Sequence, residues 1–416
     1  MAKNLKAMYR TLQDDPFPSR MEVAFVEGDI RQVMYYEKMQ WDIDGEVKGL
    51  RYGENPDQPA ALYRLVNGNL VLGDVSSIEP GKYLASDIEL LQSGKHPGKI
   101  NVTDADASLN ILKFFADTPA AVIVKHNNPC GVACGASLAE AYQKALAGDR
   151  IAAFGGAVAL NREVDIETAK LISESYCEVV AAPEYAEGSF DILAGRPNLR
   201  IMRIGRIGRL QEYEAQRFVE YKSLMDGGVV VQWSYVPAAR SASDFLPAEA
   251  KYKGDVYSVK RQPTAKEKDD MLFGWLVESG VTSNSVLYVR DRATVAIGTG
   301  EQDRVGVAEI AKFKAFRNTA DILCWERFNT SWLDCHDPDK RQEIEAAVNA
   351  THGGLKGSVM ISDAFFPKRD GVEVGLESGV TAVVQPGGAL MDHEIIEACN
   401  EYDATMAFTG QRSFKH

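Results

Sequence analysis

One short stretch constrains this chain more than any other. Ala121-Val122-Ile123-Val124 is an apolar, β-branched run that ends in Lys125 and His126, then in Asn127-Asn128-Pro129-Cys130-Gly131. The run reads as a buried strand. The turn formers read as the loop leaving its carboxyl end. In open α/β sheets, ligands bind outside the carboxyl ends of strands. Lys125 and His126 therefore stand where such a fold does its chemistry. Taken alone, the pair has a plainer reading, in which two polar residues mark where a strand meets water.

The order of elements supports an α/β layer. Residues 101–115 have helical spacing with an Asp-rich start. Ser137-Leu138-Ala139-Glu140 is a capping box opening a helix to about residue 147. Residues 152–160 read as a strand around Gly155-Gly156, 168–175 as a helix and 178–182 as a strand, the alternation of a doubly wound layer. Upstream, 60–65 and 70–72 flank Asn67-Gly68 and read as a hairpin. Residues 200–265 are less regular and read as the join between halves. Helix signals return at 267–279, a hairpin at 285–297 and a helix at 304–316. Residues 319–356 read as an insertion. Strands at 357–362, 380–384 and 405–409 alternate with helices at 372–378 and 392–402, so the second half repeats the logic of the first. A diverged internal duplication fits, without direct self-similarity.

Length and composition set the remaining bounds. The chain has 416 residues, 45% hydrophobic and 25% charged, with a formal net charge of −13. That is enough for two or three domains. The negative balance argues against a general nucleic-acid binder, which needs a basic surface, and leaves room for a small anion held by a few Arg and Lys. No apolar run has the length of a membrane span and the first ten residues lack a signal-peptide core. Six scattered cysteines read as reduced thiols in a cytoplasmic compartment.

Seven motifs in order carry a family resemblance: Arg51-Tyr52-Gly53-Glu54-Asn55-Pro56-Asp57-Gln58, the Lys125–Gly131 stretch, Ala153-Phe154-Gly155, Ser283-Asn284-Ser285, Ser362-Asp363-Ala364-Phe365-Phe366-Pro367, Gln385-Pro386-Gly387-Gly388 and Arg412-x-Phe414-x-His416. Over residues 48–416 the chain resembles the AICAR transformylase part of the bifunctional AICAR transformylase/IMP cyclohydrolase family. The resemblance implies a tandem pair of cytidine-deaminase-like three-layer α/β units, 48–222 and 223–416, after an extension at 1–47. It implies transfer of a formyl group from 10-formyltetrahydrofolate to the 5-amino group of AICAR, giving FAICAR and tetrahydrofolate. With only 50 residues before Arg51, the chain reads as a stand-alone transformylase, and a separate IMP cyclohydrolase is expected.

The same resemblance assigns roles. Lys125, His126 and Asn284 are the expected catalytic residues. Histidine suits proton transfer from a poorly nucleophilic amine, and Lys125 suits charge growing on the formyl oxygen. Arg51, Tyr52, Asn101, Gly155, Glu178, Arg412 and Phe414 fall on nucleotide positions, with the two arginines suited to phosphate. Phe154, Arg304, Phe365, Pro367 and Asp370 fall on the folate side, although by composition Phe154, Phe365 and Phe366 read equally as core. Ser283, Ser285 and Asp363 mark a potassium position. A homodimer with shared active sites is expected, with no nucleic-acid or membrane partner.

Two departures from the family pattern bear on the donor. Gly298-Thr299-Gly300 is followed by Glu301-Gln302-Asp303-Arg304, and Lys368 follows Phe365-Phe366-Pro367. A formyltransferase with a different one-carbon donor, or a non-catalytic nucleotide-binding paralogue, are the alternatives. Zinc is not expected: Pro129-Cys130 is followed by three residues before Cys134, and no His begins a His-x-Glu. Cys130 and Cys134 read as small packing residues in the loop.

Overall fold

The computed structural model describes residues 12, 15–73, 75–76 and 82–416, so part of the expected 1–47 extension lies outside the described residues. The fold is mixed α/β. Two compact units divide it: one takes the described residues up to Asp117 with Gly155–Val236, the other Thr118–Phe154 with Pro237–His416.

In the first unit, Ala157–Leu160, Val179–Ala182 and Arg200–Arg203 are parallel neighbours, with Glu89–Gln92 antiparallel beside the last. The first two strands are buried at every position, which is why they read as unbroken apolar runs. Helices Ile166–Glu174 and Ser189–Ala194 make the crossovers. The expected strand at 152–160 is shorter. Asp149 accepts from the Ala152 amide and opens a helix over Arg150–Ala153, and Gly155 at φ 78° lets the chain turn into the strand.

The expected hairpin at 60–72 does not form. Tyr63–Gly68 pairs instead with Ile30–Lys38, which also pairs with Arg20–Glu27. Asn67 and Gly68 lie opposite Tyr35 and Met34 as ladder residues. The upstream hairpin offers a longer partner than the local turn could. Val71–Leu72 pairs with Val75–Ser76.

The second unit is built on a mixed sheet in the order Leu246–Pro247, Thr405–Phe408, Ala382–Gln385, Val359–Ser362, Val286–Arg290, Ala293–Gly298, Asn128–Cys134, Ala120–Lys125. The pairs among 359–362, 382–385 and 405–408 are parallel and the others antiparallel. Helix Ala265–Glu278 starts with a Thr264/Glu267 capping box. Helix Arg304–Phe328 runs well past the expected residue 316 and stops at Asn329, a left-handed cap. The expected insertion is therefore largely helical, since Pro338–Ala350 follows behind an Asp337 cap. Ala320, Cys324, Cys335, Ile344 and Val348 bury a small core there. No helix among the described residues is long and apolar enough to cross a membrane.

Candidate active site

The structure corrects the loop after Lys125. Strand Ala120–Lys125 is joined to antiparallel strand Asn128–Cys134 by two residues only. These are His126 at φ 57° and Asn127 at φ 61°, the sign required at both central positions of a type I′ turn. His and Asn tolerate that region better than most residues. Pro129, Cys130 and Gly131 thus already belong to the returning strand, which shifts register between Pro129 and Gly131. Cys130 and Cys134 are buried within that strand rather than in a loop.

The turn presents an exposed His126 beside a half-buried Lys125. The Lys125 ammonium donates to the Phe154 carbonyl at 2.7 Å. The Asn128 side-chain oxygen accepts from the Thr282 amide at 2.9 Å, and the Lys415 ammonium donates to the Asn127 carbonyl at 3.3 Å. The turn is thereby tied to the segment carrying Asn284. That residue is held on three sides: its amide donates to Glu301 O (3.1 Å), its Nδ2 to Gln302 O (3.0 Å), and its Oδ1 accepts from Arg304 (3.0 Å).

Arg304, expected toward folate, is buried and bonded inward. It also donates to the Ser285 carbonyl, to Ser362 Oγ and to the Asp363 carboxylate. Ser285 donates in turn to the buried Glu278. Burial, then the nearby Asp363 charge, push the Glu278 carboxyl well above the usual carboxylate range. Glu278 Oε2 and Asp363 Oδ2 are buried without a hydrogen-bond partner.

The first unit brings a second set together. Arg51 is buried, donates to Lys95 O (2.9 Å) and to the Tyr52 hydroxyl (2.8 Å), and lies 4.4 Å from the Tyr52 ring centroid. Asn101 accepts from the Gly98 amide (3.0 Å) and donates to Glu178 Oε2 (3.2 Å). Arg200, not foreseen from the sequence, also reaches Glu178 Oε2 at 3.3 Å. Burial pulls both guanidiniums down from their usual range, yet arginine keeps its charge. Two cations around one carboxylate leave a surplus positive charge suited to an anion. The Gly155 amide donates to Tyr176 O at 2.9 Å.

The other expected residues lie in the second unit. Arg412 is exposed, 4.1 Å from the Phe414 ring centroid. Phe154 and Phe365 are 63% and 42% exposed and so are not core, while Phe366 is fully buried. Pro367 and Asp370 are exposed, Asp370 in the first turn of helix Arg369–Leu376.

The family model of the AICARFT/IMPCHase bienzyme matches residues 19–314. The chain belongs to that family. Relatives described as "Bifunctional purine biosynthesis protein PurH" include those of Persephonella marina (38% identical, covering 97% of this chain and 62% of the relative), Chlorobium phaeobacteroides (37%; 88% and 58%) and Halalkalibacterium halodurans (36%; 88% and 59%). The chain thus spans less than two thirds of the length of these relatives.

Two of the departures from the bienzyme family's pattern have a local explanation in this structure. Asp303 caps helix Arg304–Phe328 by accepting from the Gly306 amide. Glu301 accepts from the next amide, Gln302. Both acids are engaged in turning the chain. Glu278 was missed in the sequence although its signal was there: a lone acid ending the apolar run Trp275-Leu276-Val277. Arg200, at the head of an apolar strand, gave the same kind of signal.

Proposed function

We propose that this chain is a phosphoribosylaminoimidazolecarboxamide formyltransferase acting in purine biosynthesis. Its substrates are AICAR and 10-formyltetrahydrofolate. The observation that carries the proposal is the two-residue turn, which sets an exposed imidazole next to a lysine and ties both to Asn284 through Asn128 and Thr282. As the 5-amino nitrogen attacks the formyl carbon, His126 takes its proton and Lys125 stabilises charge growing on the formyl oxygen. The C–N bond to folate N10 then breaks, and the imidazolium returns the proton to that nitrogen. Asn284, fixed by Arg304, orients the formyl group.

Arg51 and Arg412 are the guanidinium candidates for the nucleotide phosphate. Tyr52, Asn101, Gly155, Glu178 and Phe414 complete the nucleotide set, and Arg200 holds Glu178 in place. Phe154, Phe365, Pro367 and Asp370 are the candidates for folate contact, since exposed aromatic walls suit a pteridine. A potassium ion would be held by Ser283, Ser285 and Asp363. A homodimer with shared active sites and a cytoplasmic setting belong to the same reading, and six free cysteines are compatible with a reducing compartment.

The test is direct. Purified protein given AICAR and 10-formyltetrahydrofolate should form FAICAR and tetrahydrofolate, and His126→Ala should lower kcat by about 10²–10⁴-fold. Absence of FAICAR with the wild-type chain overturns the proposal.

A further inference from the structure

We infer that Lys415 is a positioning residue for formyl transfer, pinning the turn that carries Lys125 and His126. The inference rests on reading that turn as catalytic. Lys415 occupies the variable place between Phe414 and His416, which the sequence motif leaves unassigned. Its ammonium donates to two carbonyls at once: Asn127 O at 3.3 Å, within the turn, and Gly280 O at 2.8 Å, just beyond helix Ala265–Glu278.

The backbone from which this side chain reaches is itself fixed. The Ser283 amide donates to Lys415 O at 2.9 Å, and the Lys415 amide donates to Ser283 Oγ at 3.1 Å. Two residues earlier, the Ser413 amide donates to Asp363 O at 2.9 Å. A flexible lysine gains positional meaning only from such an anchor, because its stem otherwise samples many rotamers.

The turn has reason to need a pin. His126 and Asn127 both carry positive φ without being glycine, a backbone region that persists where surrounding contacts hold it. The two residues following His126 are held from one segment. Asn127 is held through Lys415, which is clamped on Ser283. Asn128 is held directly by the Thr282 amide. An ammonium matches this task because it offers several donors around a point charge, so one group can bridge carbonyls from separate elements. Without it, Asn127 O would lose a charged donor, and the His126 imidazole would be presented by a looser turn. Transfer chemistry is sensitive to displacements of that size.

The experiment compares Lys415→Met, which keeps the stem without the charge, and Lys415→Arg, which keeps a cation, with the wild type. Lys415→Met is expected to lower kcat by roughly tenfold to a hundredfold, with the AICAR KM within about threefold and the thermal midpoint near that of the wild type. Lys415→Arg is expected to recover most of the loss. Amide exchange at His126 and Asn127, followed by mass spectrometry, should quicken in the Met variant only. An unchanged kcat, a loss confined to KM, or unaltered exchange overturns the inference. Should the wild type lack formyl transfer, the catalytic reading of the turn fails by itself. The exchange measurement then decides alone whether Lys415 holds the turn.

Discussion

His96 is a buried histidine in the left-handed region, at φ 57°. Its ring stands edge-on to Trp41, 5.6 Å between centroids, and its Nε2 lies 2.6 Å from Gly49 O. That contact requires a proton on Nε2, so the neutral ring leaves a bare Nδ1, which is buried without a partner. Burial, more than any other influence, pulls the imidazole below its usual value of 6.5. A depressed value means that the fold prefers the neutral ring. The stabilisation is therefore complete above about pH 6.5 and is lost as pH falls through the lower folded value. Urea midpoints should fall as pH drops from about 7 to about 5, and should fall less in His96→Asn, which tolerates the same backbone but cannot titrate. The neighbouring Lys95 and Pro97 carbonyls accept from Arg51, so loosening this corner should also loosen Arg51 and weaken the phosphate binding proposed for it. His126 stood out in the sequence because it ends an apolar run beside turn formers, whereas Arg51 was singled out only through the family resemblance. Lys415 did not stand out, because its role arises from partners far along the chain.

At the scale of elements, the hairpin of Ala120–Lys125 and Asn128–Cys134 depends on one glycine. A Cβ at Gly131 would lie 1.8 Å from the Ala145 carbonyl of helix Leu138–Gly148. Backbone cannot yield by that much, so Gly131→Ala should cost about 3 kcal/mol or more, seen as a lowered denaturation midpoint or as failure to accumulate folded protein. Helices and buried strands of the α/β layers were readable because caps and apolar runs are local signals. Ser137 accepts from the Glu140 amide as expected, and the helices after Thr264 and Met391 begin close to their expected starts. The failures share a cause. The Asn67-Gly68 hairpin lost to a strand some thirty residues upstream, and the loop after Lys125 became a hairpin because its returning strand contains Pro129 and two cysteines, residues that mask strand character. In both cases pairing across the sheet overrode a local turn preference.

For the whole molecule, the six cysteines report on integrity. All are free and buried. Burial pushes the Cys134 thiol up to about 11 and those of Cys177 and Cys399 up to about 12. Few thiolates exist near neutral pH, and reagent must wait for opening. An aromatic disulfide reagent at about pH 8 should label almost none of the six in the native protein over minutes and all of them in denaturant. Rapid native labelling would show that a core segment opens readily. Reading the α/β class needed only the alternation of strands and helices.

The division into two units has a consequence for how the protein is made. The chain enters the first unit, leaves it at residue 118, returns at 155, and leaves again after 236. As synthesis proceeds, every residue of the first unit has emerged by position 236, while Asn128–Cys134 still awaits its other neighbour, Ala293–Gly298. For nearly sixty residues of elongation, at roughly 5–20 residues per second, the ribosome therefore carries a hairpin whose returning strand lacks that neighbour. That strand returns from the Lys125–His126 turn, so the candidate catalytic hairpin is exposed to wrong partners until the rest of the second unit is made and folds with it.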